Sequence, residues 1–169
     1  MWFASKEKTK EHADELIAQA RLCRDEENIL EALNLLEKAI HLDKEYATPY
    51  GEYGIALAMQ KNNNDRAEYN GLFAIVKDSK NAIQWRNLAH IYYLLGRYPK
   101  AYVATIMAET LGKNVENLEN IKARIKESMT EHQLNELPKI EEKVKEVYYR
   151  HKNHPTIMPE PFIDESLNI

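Results

Sequence analysis

The residues that most often perform catalysis are few in this sequence and lie far apart. Six histidines and a single cysteine, Cys23, are spread over 169 residues. His151 and His154 are three residues apart and could contact one metal ion if helical, but an exposed pair at a fraying helix end fits their surroundings better. The chain has no glycine-rich phosphate loop, no Gly-x-Ser-x-Gly nucleophile motif and no His-Glu-x-x-His zinc motif. The sequence therefore predicts a protein that is not an enzyme and that uses no cofactor or metal.

Charge and composition exclude further classes of protein. The net charge is −4, so no positive excess is present to hold a nucleic acid backbone. A lone cysteine excludes an intrachain disulfide and a multi-thiolate metal site. No apolar run approaches the roughly 20 residues of a membrane span, and Met1-Trp2-Phe3 is followed at once by charged residues instead of the apolar core of a signal peptide. We expect a cytoplasmic protein without nucleic acid or membrane partners; a form that has lost its leader is the alternative.

The composition favours helices as the elements that position the side chains. Charged residues make up 30% of the chain, and only five glycines and six prolines are present. So few turn-forming residues argue against a many-stranded sheet. The length fits one all-α domain.

An internal repeat of about 34 residues is the strongest signal in the chain. The segment Trp85–Tyr92 has the sequence Trp-Arg-Asn-Leu-Ala-His-Ile-Tyr, and Tyr50 and Leu16 precede Trp85 at successive steps of 35 and 34 residues. Small residues let two antiparallel helices cross closely. On the first helix of each unit the small residues are Ala20, Gly54 and Ala89; on the second they are Ala32 and Ala39, Ala67 and Ala74, and Ala101 and Ala108.

This pattern resembles the tetratricopeptide repeat (TPR), whose first helix has the spacing W-x2-L-G-x2-Y; Ala89 replaces the glycine here. The resemblance covers residues 13–115 and is specific in the third unit, good in the second and degenerate in the first. It implies a right-handed superhelical stack, or solenoid, of three helix hairpins. The implied units are 13–46, 47–81 and 82–115, after an N-terminal extension over 1–12. Where the family has an aromatic residue on the second helix, Gly71 and Thr105 predict looser or re-registered packing.

Two capping helices and a tail are expected after the repeats. Apolar stripes at helical spacing run from Val115 to Met129 and from Leu134 to Tyr148, so residues 116–150 are predicted to form a capping helix pair. Pro138 is expected early in the second of these helices. Residues 151–169 hold three prolines within seven positions, which predicts an extended tail. The tail either frays or packs on its own stack or on a neighbouring copy; its apolar residues are Ile157, Met158, Phe162 and Ile163.

In the TPR family the first helices line a concave groove that holds a peptide or a helix. The register of the resemblance implies groove positions at Arg21, Arg24, Glu52, Ile55, Met59, Arg86, Asn87, His90 and Tyr93. The paired N–H donors of an arginine guanidinium match the geometry of a carboxylate. An acidic or carboxylate-ended ligand is therefore one interpretation of these arginines, and ordinary solvated charges are the other. The carboxylate clamp of chaperone cofactors is not expected, because Glu52 occupies one of its positions and would repel the ligand.

Three functions follow from these expectations. The first is an adaptor or assembly factor, a scaffold for protein–protein interaction that binds a peptide segment or helix of another protein in the groove. The second is a secretion-type TPR chaperone. The third is a self-associating scaffold, a homo-oligomer in which the C-terminal tail docks on the repeat stack of a copy.

Overall fold

The computed structural model describes the chain from residue 2 to residue 169, with side chains from residue 6 onward. Over this range the protein is helical and forms no strand, so the all-α prediction is confirmed. The nine described helices are α1 (Trp2–Asp25), α2 (Ile29–Leu42), α3 (Thr48–Met59), α4 (Asn64–Lys77), α5 (Ala82–Leu94), α6 (Tyr98–Leu111), α7 (Leu118–Glu127), α8 (Glu131–His151) and α9 (Pro159–Leu167).

Consecutive helices pack as pairs. The most extensive contacts join α1 to α2, α3 to α4, and α5 to α6, and each pair also contacts the next. The odd-numbered helices meet in order, because α3 contacts both α1 and α5, and α7 contacts α5. None of the helices in the described range is both long and apolar enough to cross a bilayer.

The small residues of the repeat lie where the paired helices cross. Ala20 and Ala89 are buried, and the six paired alanines of the second helices are all fully buried. A Cβ added to Gly54 would lie only 2.8 Å from the carbonyl oxygen of Ala67 and 2.7 Å from Cδ1 of Ile91. The backbones of α3 and α4 therefore approach more closely at this point than any side chain allows.

The hydrophobic core has two parts that meet at α5. One comprises buried residues of α1 to α4 together with Ile91, and the other extends from Ile75 of α4 and from α5 through α6, α7 and α8 to α9. Trp85 is fully buried in the second part, and its indole N–H donates to the carbonyl oxygen of Ser79 at 2.7 Å. This bond satisfies the one polar atom that the burial of tryptophan would otherwise leave unpaired.

The prediction for the second capping helix was wrong about Pro138. The hydroxyl oxygen of Thr130 accepts from the backbone N–H of Gln133 at 3.3 Å, and the Gln133 side chain accepts from the backbone N–H of Thr130 at 3.0 Å. This capping box starts α8 at Glu131. Pro138 consequently lies in the helix interior, about two turns after its start.

The prediction of an extended tail was also wrong for about half of its length. Residues Pro159–Leu167 form α9, and Pro159 and Pro161 both lie in its first turn, where a missing N–H leaves no helix bond unmade. The tail packs on its own chain, since Ile157, Phe162 and Ile163 are buried and α9 contacts α4, α6 and α8. At the other end, residues 2–12 are continuous with α1 and do not form a separate segment.

A matched pair of glycine substitutions tests the close crossing of α3 and α4. Gly54→Ala should lower the free energy of unfolding by about 1–3 kcal/mol, because the new Cβ meets a backbone oxygen that cannot move alone. Gly71→Ala should cost less, because its Cβ meets only the ends of the Ile91 and Leu88 side chains. Alanine gains the same helix propensity at both sites. Urea denaturation of both variants measures the difference, and equal stabilities would contradict the crossing.

Candidate functional site

A depression of about 400 Å³ lies along the row of odd-numbered helices. We call it the arginine groove, because four of its lining residues are arginines contributed by three different helices. The lining residues are Arg21, Arg24 and Asp25 of α1, Ile55 and Met59 of α3, Arg86, His90 and Leu94 of α5, Glu116 and Asn117 before α7, and Arg124 of α7. Residues separated by up to about 100 positions in the sequence thus share one surface.

The structure brings six of the nine predicted groove residues together in this lining. They are Arg21, Arg24, Ile55, Met59, Arg86 and His90. The other three do not line the groove. Glu52 and Asn87 are fully buried, and Tyr93 is partly buried with its ring centroid 4.9 Å from the guanidinium carbon of Arg124. The binding role of all nine residues remains a prediction.

Glu52 holds two of the arginines through buried ion pairs. Its carboxylate accepts from Nη2 and Nε of Arg21 at 2.6 and 3.1 Å, and its second oxygen lies 2.8 Å from Nη2 of Arg24. Burial alone would raise the pKa of Glu52, but the charges of Arg24 and Arg21 outweigh it and hold the pKa below its usual value. The carboxylate therefore stays charged at neutral pH and joins α1 to α3.

Arg86 differs from these two arginines because nothing neutralises it directly. Its side chain is buried, with 7% of the residue exposed, and its Nε has no hydrogen-bond partner among the described residues. Burial lowers the pKa of Arg86, and the more distant charge of Glu52 only partly opposes this effect. Guanidinium remains charged in proteins, so Arg86 is a largely buried cation without a carboxylate in contact.

Asn87 is a second polar residue without a visible partner. It is fully buried, and neither its side-chain oxygen nor its side-chain nitrogen has a hydrogen-bond partner within the part of the chain that the structure describes. Its Nδ2 lies 2.7 Å from the position that a Cβ on Gly51 would occupy. The glycine is thus what makes room for the amide between α3 and α5.

His90 is held in its neutral form. Burial, together with the positive charges of Arg24 and Arg86, lowers its pKa to about 4, and the charge of Glu52 offsets this only in part. At neutral pH the imidazole therefore contributes a donor and an acceptor to the groove and no charge.

Sequence reasoning missed five of the eleven lining residues, among them Arg124 and Glu116. Arg124 lies on α7 and contacts the ring of Tyr93, and Glu116 lies in the connection between α6 and α7. Both fall after residue 115, where the repeat spacing ends and gives no register to extend. The available signal was the apolar stripe of α7: Arg124 directly precedes its Ile125, at the edge of the face that packs on the core.

The remaining candidates for chemistry do not form a site. The rings of His151 and His154 are 5.7 Å apart and His151 pairs with Glu165 at 3.5 Å, but among the described residues no three histidine, cysteine, aspartate or glutamate side chains are grouped to hold a metal ion. Cys23 is partly buried and packs against the core.

Comparison with known proteins found no matching family model, no similar curated protein and no similar solved structure. The TPR resemblance therefore depends on the sequence pattern alone.

Replacing the buried carboxylate should be costly. In Glu52→Gln, Arg21 and Arg24 lose their counter-charge while they remain close together beside Arg86, so we expect the free energy of unfolding to fall by about 3 kcal/mol. The matched control is Glu45→Gln, which also removes one ion pair, with Lys77 at 3.3 Å, from a carboxylate that is 86% exposed. The control should change stability by less than about 1 kcal/mol. Urea denaturation at pH 7 distinguishes the two, and similar losses would contradict the buried pairing.

His90 should make folding sensitive to acid. Because its pKa is about 4 in the folded protein and 6.5 for an unperturbed histidine, the unfolded chain binds the proton first as the pH falls. The native state should therefore lose stability between about pH 6.5 and pH 4. We expect His90→Gln to lose about 1–2 kcal/mol less than the parent between pH 7.5 and pH 5 in urea denaturation. Parallel losses in the two proteins would contradict a partly buried, neutral imidazole.

Proposed function

We propose that this chain is a non-enzymatic protein-interaction module, an adaptor or assembly factor, and that it holds a peptide segment or helix of another protein in the arginine groove. The observation that carries the proposal is that α1, α3, α5 and α7 together place cationic and apolar side chains in one open depression. The ion pairs of Glu52 with Arg21 and Arg24 lie beneath this surface. The outer rim of the depression remains accessible to solvent.

The character of the lining supports a protein ligand. Met59 and Leu94, which are partly exposed, supply apolar contact, while the arginines supply charged donors. Binding sites for protein segments combine these two features, since apolar burial gives affinity and placed polar groups give orientation. A volume of about 400 Å³ lies at the lower end of the range for a ligand pocket, roughly 300–1,000 Å³. It suits a few side chains of a longer segment.

The proposed architecture is a TPR-like superhelix of three hairpins with a capping pair. The burial of the small residues at each crossing supports it, as does the ordered contact of the odd-numbered helices. In such a stack the first helices form the inner surface, and α1, α3 and α5 supply most of the lining of the arginine groove.

Self-association through the tail is the alternative, and it requires an exchange of α9 between copies. In the described chain α9 packs on its own α6 and α8, so a copy could accept it only after it leaves this position. Intramolecular packing favours the first function.

A peptide-display selection tests the proposal. The chain is the target, and the selected peptides are measured against two matched double variants. Met59→Glu with Arg124→Glu adds negative charge inside the groove, and Tyr69→Glu with Lys126→Glu makes the same charge change at exposed residues outside it. The first variant should weaken peptide binding by at least about tenfold, because charge-assisted bonds and apolar contact are both lost, and the second should leave it unchanged.

Circular dichroism and thermal melts of both variants serve as the control for folding. If the two variants weaken the selected peptides equally, or if neither does, the groove is not the binding surface and the proposal is wrong.

A further inference from the structure

The arginines of the groove fall into two groups that differ in what neutralises them. Arg21 and Arg24 both contact the carboxylate of Glu52. Arg86 and Arg124 have no carboxylate within 4 Å among the described residues; Arg124 contacts the face of Tyr93 instead. Two guanidinium groups of the same groove therefore remain available to an external anion.

The burial of Arg86 without a hydrogen-bond partner for its Nε indicates a ligand more strongly than its presence in the groove does. Only 7% of Arg86 is exposed, so its guanidinium has given up much of its hydration, and its Nε gains no hydrogen bond from the described residues in return. An unpaired buried charge costs free energy, and arginine cannot escape the cost by losing its proton. A carboxylate that enters the groove would recover part of this cost.

The local charge agrees with an anionic ligand. Four guanidinium groups face three carboxylates, Asp25, Glu52 and Glu116, so the groove has a positive excess. The whole chain has a net charge of −4. Excess positive charge at one surface of an acidic protein attracts acidic segments to that surface and repels them from the remainder.

The apolar side of the groove decides between a small anion and a peptide. Ile55, Met59 and Leu94 lie in the same depression as the arginines. Ile55 is fully buried, but Met59 and Leu94 are partly exposed. Inorganic phosphate would leave these two side chains uncovered, whereas an acidic peptide with neighbouring apolar residues would cover them and present carboxylates to the cations.

Glu116 is placed to compete with such a ligand. It is exposed, lines the groove, and its charge acts on both Arg21 and Arg86, yet it forms no ion pair within 4 Å among the described residues. An unpaired carboxylate at the rim reduces the attraction of the groove for another carboxylate without closing it.

We infer that the arginine groove binds an acidic segment of a partner protein, that a carboxylate of this segment contacts Arg86 and Arg124, and that Glu116 competes with that carboxylate. The inference deepens the proposed function and depends on it. A carboxylate in this position also lies near His90. The titration of the His90 imidazole therefore reports whether the groove is occupied.

Two peptide-display libraries test the acidic ligand. One encodes all residues, and the other replaces aspartate and glutamate by asparagine and glutamine. The first should give groove-dependent peptides that contain acidic residues, and the second should give none of comparable affinity. Groove-dependent binders of equal affinity from the acid-free library would overturn this inference and leave the proposed function intact. If neither library gives groove-dependent binders, both this inference and the proposed function are wrong.

Point variants test the assigned contacts with the tightest acidic peptide. Arg124→Gln should weaken binding about tenfold or more, because a charge-assisted bond is lost, whereas Lys126→Gln removes the same charge from the same helix outside the groove and should have little effect. Glu116→Gln should tighten binding about two- to fivefold, and Glu119→Gln, which does not line the groove, should not. Equal effects within either pair would overturn the assigned contacts in favour of general charge attraction.

A nuclear magnetic resonance titration of His90 locates the bound carboxylate. The acidic peptide should raise the pKa of His90 above its value in the free protein, which is about 4, because an added negative charge favours the imidazolium form. The same titration is made with inorganic phosphate alone. An unchanged His90 titration with saturating peptide would overturn the position of the carboxylate, and an equal shift with phosphate at similar affinity would overturn the choice of a peptide ligand.

Discussion

The close packing of α5 against α3 and α4 is the constraint on which the rest of the structure depends. Three glycines make it possible: Gly51 faces the Asn87 amide, while Gly54 and Gly71 both face the end of Ile91. A Cβ at any of them would lie within 2.7 Å of a side-chain atom of α5. Because α5 packs this closely on α3, polar residues of the two helices face each other. The arginine groove and its buried charges therefore lie where these two hairpins join.

This constraint also explains what the sequence could and could not predict. The small residues at the crossings follow from spacing alone, because the geometry within a hairpin repeats. Gly71 shows the limit: its missing aromatic side chain predicted looser or re-registered packing, and Ile91 and Leu88 reach it from the next hairpin. The neighbour across a hairpin boundary is not determined by spacing within one unit. Arg124 was out of reach for the same reason, since α7 lies beyond the last repeat.

Glu52 organises the electrostatics of the groove from behind it. A fully buried carboxylate would normally be unfavourable, but two guanidinium groups contact it and stabilise its charged form. By holding Arg21 and Arg24 it removes them from competition for a ligand, a distinction among the three predicted groove arginines that the sequence does not show. It also lies too far from Arg86 for a direct pair. Glu52 thus separates the groove arginines into two that are paired within the protein and two that remain available to a ligand.

The tail contributes to the groove without touching it. Phe162 of α9 packs edge to face on Trp85 with ring centroids 5.4 Å apart, and the backbone N–H of Ile157 donates to Oγ of Ser79 at 2.9 Å. The carbonyl oxygen of the same Ser79 accepts from Trp85, so the tail supports the helix that presents Arg86 one residue later. Because no residue of α9 lines the groove, its packing supports α5 and leaves the ligand side of the groove open. If α9 exchanged between copies, it would join the copies through the core and would not block the groove, so self-association and ligand binding are physically compatible in this fold.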